Sequence, residues 1–124
     1  MKSIIVRTIP MLMLLLAACD SSTRPGGRGT LTAQLTSPNG AEGAAVLDVV
    51  GAVESLAAPS DVSIYTTPIA NGTRVVLVRM TPGELSMNVT VADISKPPAI
   101  SVVQVADGGD RLREPLTQYA VTLR

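Results

Sequence analysis

The chain has 124 residues, ten basic and ten acidic, with two tyrosines, one cysteine and no histidine, phenylalanine or tryptophan. Balanced charge without a basic cluster argues against nucleic acid, and one cysteine excludes an intrachain disulfide. The missing histidine removes the commonest general base and zinc ligand and every Ser-His or Cys-His nucleophile arrangement, so no enzyme and no cofactor is expected.

Lys2 and Arg7 give the first seven residues positive charge, an apolar run follows from Thr8 to Leu16, and small residues close it. That order is the one found in export signals. The run is far too short for a bilayer, which needs about 20 residues. Leu16, Ala17, Ala18 and Cys19 then stand directly behind it.

This tetrapeptide resembles the lipobox of bacterial lipoproteins. The resemblance implies that the Cys19 thiol takes a diacylglyceryl group and that residues 1–18 are cleaved away. The freed amino group is often acylated too, giving two or three acyl chains, enough for stable anchoring at about 0.8 kcal/mol per buried CH₂. Such a protein sits in the cell envelope facing away from the cytoplasm. Asp20 resembles the residue that retains lipoproteins at the inner membrane in enteric bacteria, a rule other bacteria do not reliably follow. The alternative is an ordinary secretory signal that leaves a free thiol or none.

Loss of Lys2 and Arg7 leaves eight basic against ten acidic residues in a mature chain of 106. Residues 19–29 then form a lipidated cysteine and tether, because Asp20 to Gly29 has nothing apolar to bury and three glycines. At roughly 3.3 Å per residue the tether reaches about 33 Å fully extended.

Residues 30–124 form one domain, and its pattern is β. Leu31, Ala33 and Leu35 alternate, as do Leu85, Met87, Val89 and Val91. Val75 to Val78 is a continuous apolar run that predicts a central strand covered on both faces. Ala44 to Val50, Asp61 to Thr66, Ile100 to Val105 and Gln118 to Leu123 complete seven strands. Ala52 to Ala58 reads equally as short helix or strand. The prolines Pro38, Pro59, Pro68, Pro82, Pro97, Pro98 and Pro115 are expected between strands. Asn39-Gly40, Asn71-Gly72, Pro82-Gly83 and Asp107-Gly108-Gly109 are expected to supply positive-φ turns, with Asn71-Gly72 closing a hairpin.

Seven short strands at this spacing predict an all-β fold, a single small β-sandwich. The pattern resembles immunoglobulin-like sandwiches, and Thr73 to Asp93 resembles cohesin-like ones, with a Val-rich strand running into Pro82-Gly83-Glu84-Leu85 and a long alternating strand. The resemblance implies architecture alone and carries over no binding residue. Antibody-type domains need a cysteine pair packed on tryptophan, which this chain lacks.

Few residues offer chemistry. Ser95 and Lys96 are the elements of a Ser-Lys pair, but neighbours on a strand point to opposite faces. Asp107, Asp110 and Glu114, with Asp93, are candidates for calcium ligation or acid-base work; Asp-Gly-Gly-Asp is equally ordinary turn chemistry, and Arg111 and Arg113 oppose a cation. Asp48 either pairs with Arg74 or Arg79 across a sheet face or faces solvent. Tyr119 suits a tyrosine-corner hydrogen bond or a binding rim, Tyr65 a rim, and both suit half-buried strand positions. Asn71-Gly72-Thr73 and Asn88-Val89-Thr90 fit a glycosylation pattern that occurs by chance in bacteria.

The leading expectation is a membrane-tethered, non-enzymatic binding or accessory module whose sheet edge or loops contact an envelope protein. Carbohydrate capture would need both tyrosines on one exposed face. A carboxylate-only hydrolase would need two buried carboxylates in a cleft. An exposed edge strand would permit β-addition, with Val75 to Val78 an aggregation risk if uncovered.

Overall fold

The computed structural model describes residues 26–124. The expected signal segment, the lipobox and Cys19 lie outside the described residues.

Eight strands run in chain order: β1 (Gly29–Thr36), β2 (Glu42–Val50), β3 (Ser55–Ala57), β4 (Ser63–Ile69), β5 (Gly72–Gly83), β6 (Ser86–Val91), β7 (Ala99–Ala106) and β8 (Ala120–Leu123). They form two four-stranded antiparallel sheets, ordered β3-β6-β1-β8 and β4-β5-β2-β7. The all-β sandwich expected from the alternation is therefore present, and no helix occurs among the described residues. All seven predicted strands are found.

The eighth strand settles the ambiguous stretch from Ala52 to Ala58. Leu56 lies opposite Val89 of β6 and packs on the core, while Ser55 and Ala57 are exposed. Period-two burial is strand behaviour, and three residues are too few to reveal it in sequence.

Alternation builds the core between the sheets. Ala45, Leu47 and Val49 of β2, with Val75 and Leu77 of β5, face Met87, Val89 and Val91 of β6 and Ala33 and Leu35 of β1; all are buried. The strand through Val75 to Val78 is internal, between β4 and β2, so its backbone is covered. Its two faces differ from the expectation, however: Val75 and Leu77 are buried, but Val76 and Val78 are only half-buried on the outer side.

Two proline positions also depart from expectation. Pro68 lies within β4 and Pro82 within β5. β4 is an edge strand, where an outward-facing nitrogen costs no ladder bond and its missing N–H blunts the edge. Pro82 lies within the break in the β2–β5 register, between Val78 and Gly83, outside the regular ladder.

The β4–β5 hairpin exists, but Ile69 pairs with Gly72, so Ala70 and Asn71 form its tip. Gly40 takes the positive φ expected of Asn39-Gly40, but the other positive φ values among the described residues fall at Gly51 and Asp110 instead of at Asn71, Gly72, Gly83, Gly108 or Gly109. Gly72 is required for another reason: a Cβ there would lie 1.9 Å from the Val49 carbonyl oxygen.

In a constant-type immunoglobulin sandwich the first strand pairs with the second and the seventh with the sixth. Here β1 pairs with β6 and β7 with β2. The β4-β5-β2 and β3-β6 neighbourhoods match that order, and the first and seventh strands exchange sheets.

The connections sort into two poles. One pole gathers Gly26 to Arg28, the β2–β3 link, the β4–β5 hairpin and the β6–β7 turn. The other gathers the β1–β2, β3–β4 and β5–β6 connections and the long segment 107–119 between β7 and β8.

Candidate functional site

At this second pole stands Glu42, the one buried charged residue among those described, 1% exposed. Strict alternation with Ala45, Leu47 and Val49 would send it outward. The ladder breaks there: β2 steps from Ala44 to Glu42 while its partner jumps from Val78 to Gly83. Such irregularities re-aim side chains, and Glu42 turns in.

Its carboxylate is fully partnered. Arg113 Nε donates to Oε1 at 2.9 Å, and Ser37 Oγ and the Tyr119 hydroxyl donate to Oε2 at 2.7 and 2.5 Å. Asn39 Nδ2 donates to the Tyr119 oxygen at 2.7 Å, and the Asn39 N–H donates to Ser37 Oγ at 3.0 Å. Burial pushes the Glu42 carboxyl up, but the bonds from Tyr119, Ser37 and Arg113 and the Arg113 charge together outweigh it, and the group is held below its ordinary range. Glu42 likewise raises the Arg113 guanidinium.

The cluster therefore ties the β1–β2 loop and the 107–119 segment to β2. Tyr119 makes its hydrogen bond to a carboxylate, where a tyrosine corner would use backbone. A carboxylate whose acceptor sites are occupied and whose charge is met by arginine is a clamp, poorly suited to taking a proton. Beside it opens a cavity of about 480 Å³ lined by Gln34, Thr36, Ser37, Ala41, Glu84 and Leu85 among others.

The carboxylates singled out in the sequence do not converge. Asp107 Oδ1 accepts the N–H groups of Arg111 and Gly109 at 3.0 and 2.8 Å, which hold its carboxyl low. Asp110 takes positive φ in the same turn. Glu114 lines a separate depression with Asn39 and Gln118. Asp93 lies at the other pole, where the Ser95 hydroxyl and N–H bind it at 2.6 and 2.9 Å. That bond also occupies the hydroxyl a Ser95–Lys96 pair would need. No group of three or more metal-capable side chains occurs among the described residues.

Two arginines divide differently. Arg74 lies directly across from Asp48 and grips it bidentately at 2.7 and 2.9 Å. Arg79 pairs with Asp61 at 2.9 Å and donates to the Thr81 and Glu84 carbonyls, fastening the β5–β6 turn. The tyrosines are separated: Tyr119 is buried at 8% exposure and Tyr65 is 62% exposed on β4.

The two outer sheet faces differ in their apolar content. On β3-β6-β1-β8 the outward positions include Thr30, Thr32, Gln34, Ser86, Asn88 and Thr90, with Thr30 and Thr90 hydroxyls 3.1 Å apart. On β4-β5-β2-β7 they include Ala44, Val46, Val50, Tyr65, Val76 and Val78 beside the polar Ser63, Thr67, Ser101 and Gln104, and the strand charges there, Asp48 and Arg74, neutralise each other. A shallow depression of about 190 Å³ lies against Tyr65, Thr67, Arg74 and Val76. Sequence reasoning named Tyr65 and the Asp48 pair but missed this face, whose signal was the valine content of the outward positions.

No protein-family model, curated protein or solved structure matches this chain.

Proposed function

We propose that the chain is an extracytoplasmic bacterial lipoprotein, anchored through acyl chains on Cys19, whose sandwich is a non-enzymatic binding module engaging an envelope protein through the outer face of β4-β5-β2-β7. The observation that carries the binding reading is the contrast between the two outer faces. Ala44, Val46, Val76 and Val78 form adjacent outward positions on the two central strands, with Val50 and Tyr65 exposed at 41% and 62%, so this face holds the contiguous apolar surface that desolvation on binding would reward. The opposite face, rich in hydroxyls and amides, offers no comparable gain on desolvation. The Leu16-Ala17-Ala18-Cys19 sequence supports the anchor.

The test has two parts. Intact mass of protein purified from native membranes should correspond to loss of residues 1–18 plus two or three acyl chains, with Cys19→Ala abolishing the lipidation; a soluble, unacylated product overturns the anchor. A photo-crosslinking residue at Val76 should give one discrete adduct that Val46→Lys removes, while the same residue at Thr32 gives none. Equal adducts from both faces overturn the docking face.

A further inference from the structure

The point where the tether meets the fold fixes which pole lies nearest the membrane. We infer that the pole bearing Ile94 and Lys96 rests against the bilayer, an inference that builds on the Cys19 anchor proposed above. Six residues separate Cys19 from Gly26. Their seven Cα–Cα steps reach at most about 25 Å.

Before entering β1 the chain is fastened to the β6–β7 turn, because the Ile94 N–H donates to the Gly27 carbonyl at 3.0 Å. Gly26 lies so close to the same turn that a Cβ would stand 1.9 Å from Asp93 Oδ1. The anchor therefore acts on this turn, and the Glu42 pole lies a further strand length away, about 25 Å for the eight residues of β1.

The turn itself suits a lipid surface. Ile94 is 42% exposed, a large apolar side chain at the tether-side pole. Two residues on, Lys96 stands in no ion pair among the described residues and can meet a headgroup phosphate. Of the acids nearby, Glu54 is bound by Arg28, while Asp93, hydrogen-bonded by the Ser95 hydroxyl and N–H, stays charged beside Lys96. An apolar tip with an adjacent lysine sits at the headgroup boundary, the apolar part inward and the ammonium at the phosphates. In this orientation both sheet faces stand sideways to the membrane and the Glu42 clamp and its cavity point outward.

The test uses the native acylated protein in vesicles of phosphatidylcholine and phosphatidylglycerol whose acyl chains carry bromine, a short-range fluorescence quencher. A fluorophore is attached at Ile94→Cys, at Lys96→Cys or at Met80→Cys, the last being 96% exposed near the Glu42 pole. Quenching at positions 94 and 96 should be at least about twice that at 80. Equal or reversed quenching in protein of acylated mass overturns the orientation alone. Unacylated mass in the same sample overturns the anchor and the orientation with it.

Discussion

Replacing Glu42 with alanine is expected to lower the unfolding free energy by about 3 kcal/mol, because hydrogen bonds to a charged group contribute about 1.5–3 kcal/mol each and are not additive. The substitution strips the acceptor from Ser37 Oγ, the Tyr119 hydroxyl and Arg113 Nε together. Arg113 can rehydrate, since its side chain is 28% exposed, whereas Tyr119 stays buried. At about 4–8 °C per kcal/mol for a domain of this size, the melting temperature of the purified protein should fall by about 12–24 °C. Tyr119→Phe should cost less, and the double variant should cost less than the two single losses added, since both delete the same bond. A Glu42→Ala loss below about 1 kcal/mol would show that the clamp is not a stability element.

The same carboxylate governs the acid side of the stability curve. Its folded pKa lies below the ordinary value of 4.5, so the unfolded chain takes up the proton first. The stabilisation is complete above about pH 4.5 and is lost as pH falls through the lower, folded value. Asp48, Asp93 and Asp107 are also held low and contribute in the same direction. The difference between wild type and Glu42→Gln isolates the clamp: the two stabilities should lie apart at neutral pH and converge as pH falls below 4.5. Curves that stay parallel from pH 7 to 3 would remove Glu42 from the acid limit.

That clamp was invisible in the sequence for a physical reason. Its partners Arg113 and Tyr119 are 71 and 77 residues away, and the broken ladder that turns Glu42 inward inverts the alternation from which burial is read. The strands were legible because period-two burial over five or more residues leaves a repeating pattern, as in Leu85 to Val91. β3 was not, since Leu56 is its only inward residue. The Asp48 pair was legible in kind, but choosing Arg74 over Arg79 required the register that sets Val50 opposite Gly72. The hairpin was legible as a turn, while its tip shifted by one residue because the close approach of Gly72 to Val49 claims that glycine for the strand.

Leu47→Ala is expected to cost about 4 kcal/mol, toward the upper end of the 2–5 kcal/mol range for such truncations. The reason lies in composition. Without Phe or Trp, this core is made of Val, Leu, Ala and Met side chains, with Tyr119 the buried ring. Leu47 sits on β2, in the middle of its sheet, with Val75 opposite on one side and Val102 on the other. Valine is stiff at χ1 and its backbone here is held by ladders on both edges of β2, so neighbours cannot swing into the vacated space. Met87→Leu in the opposite sheet is the contrast, a volume-conserving change in a fully buried site that should cost under about 1.5 kcal/mol. With a urea slope near 1.5 kcal/mol per molar, Leu47→Ala should move the midpoint down by about 2.7 M with the slope unchanged. A loss under about 2 kcal/mol would mean that the two sheets close over the gap, and that a core built without large rings is more pliant than the stiffness of its valines implies.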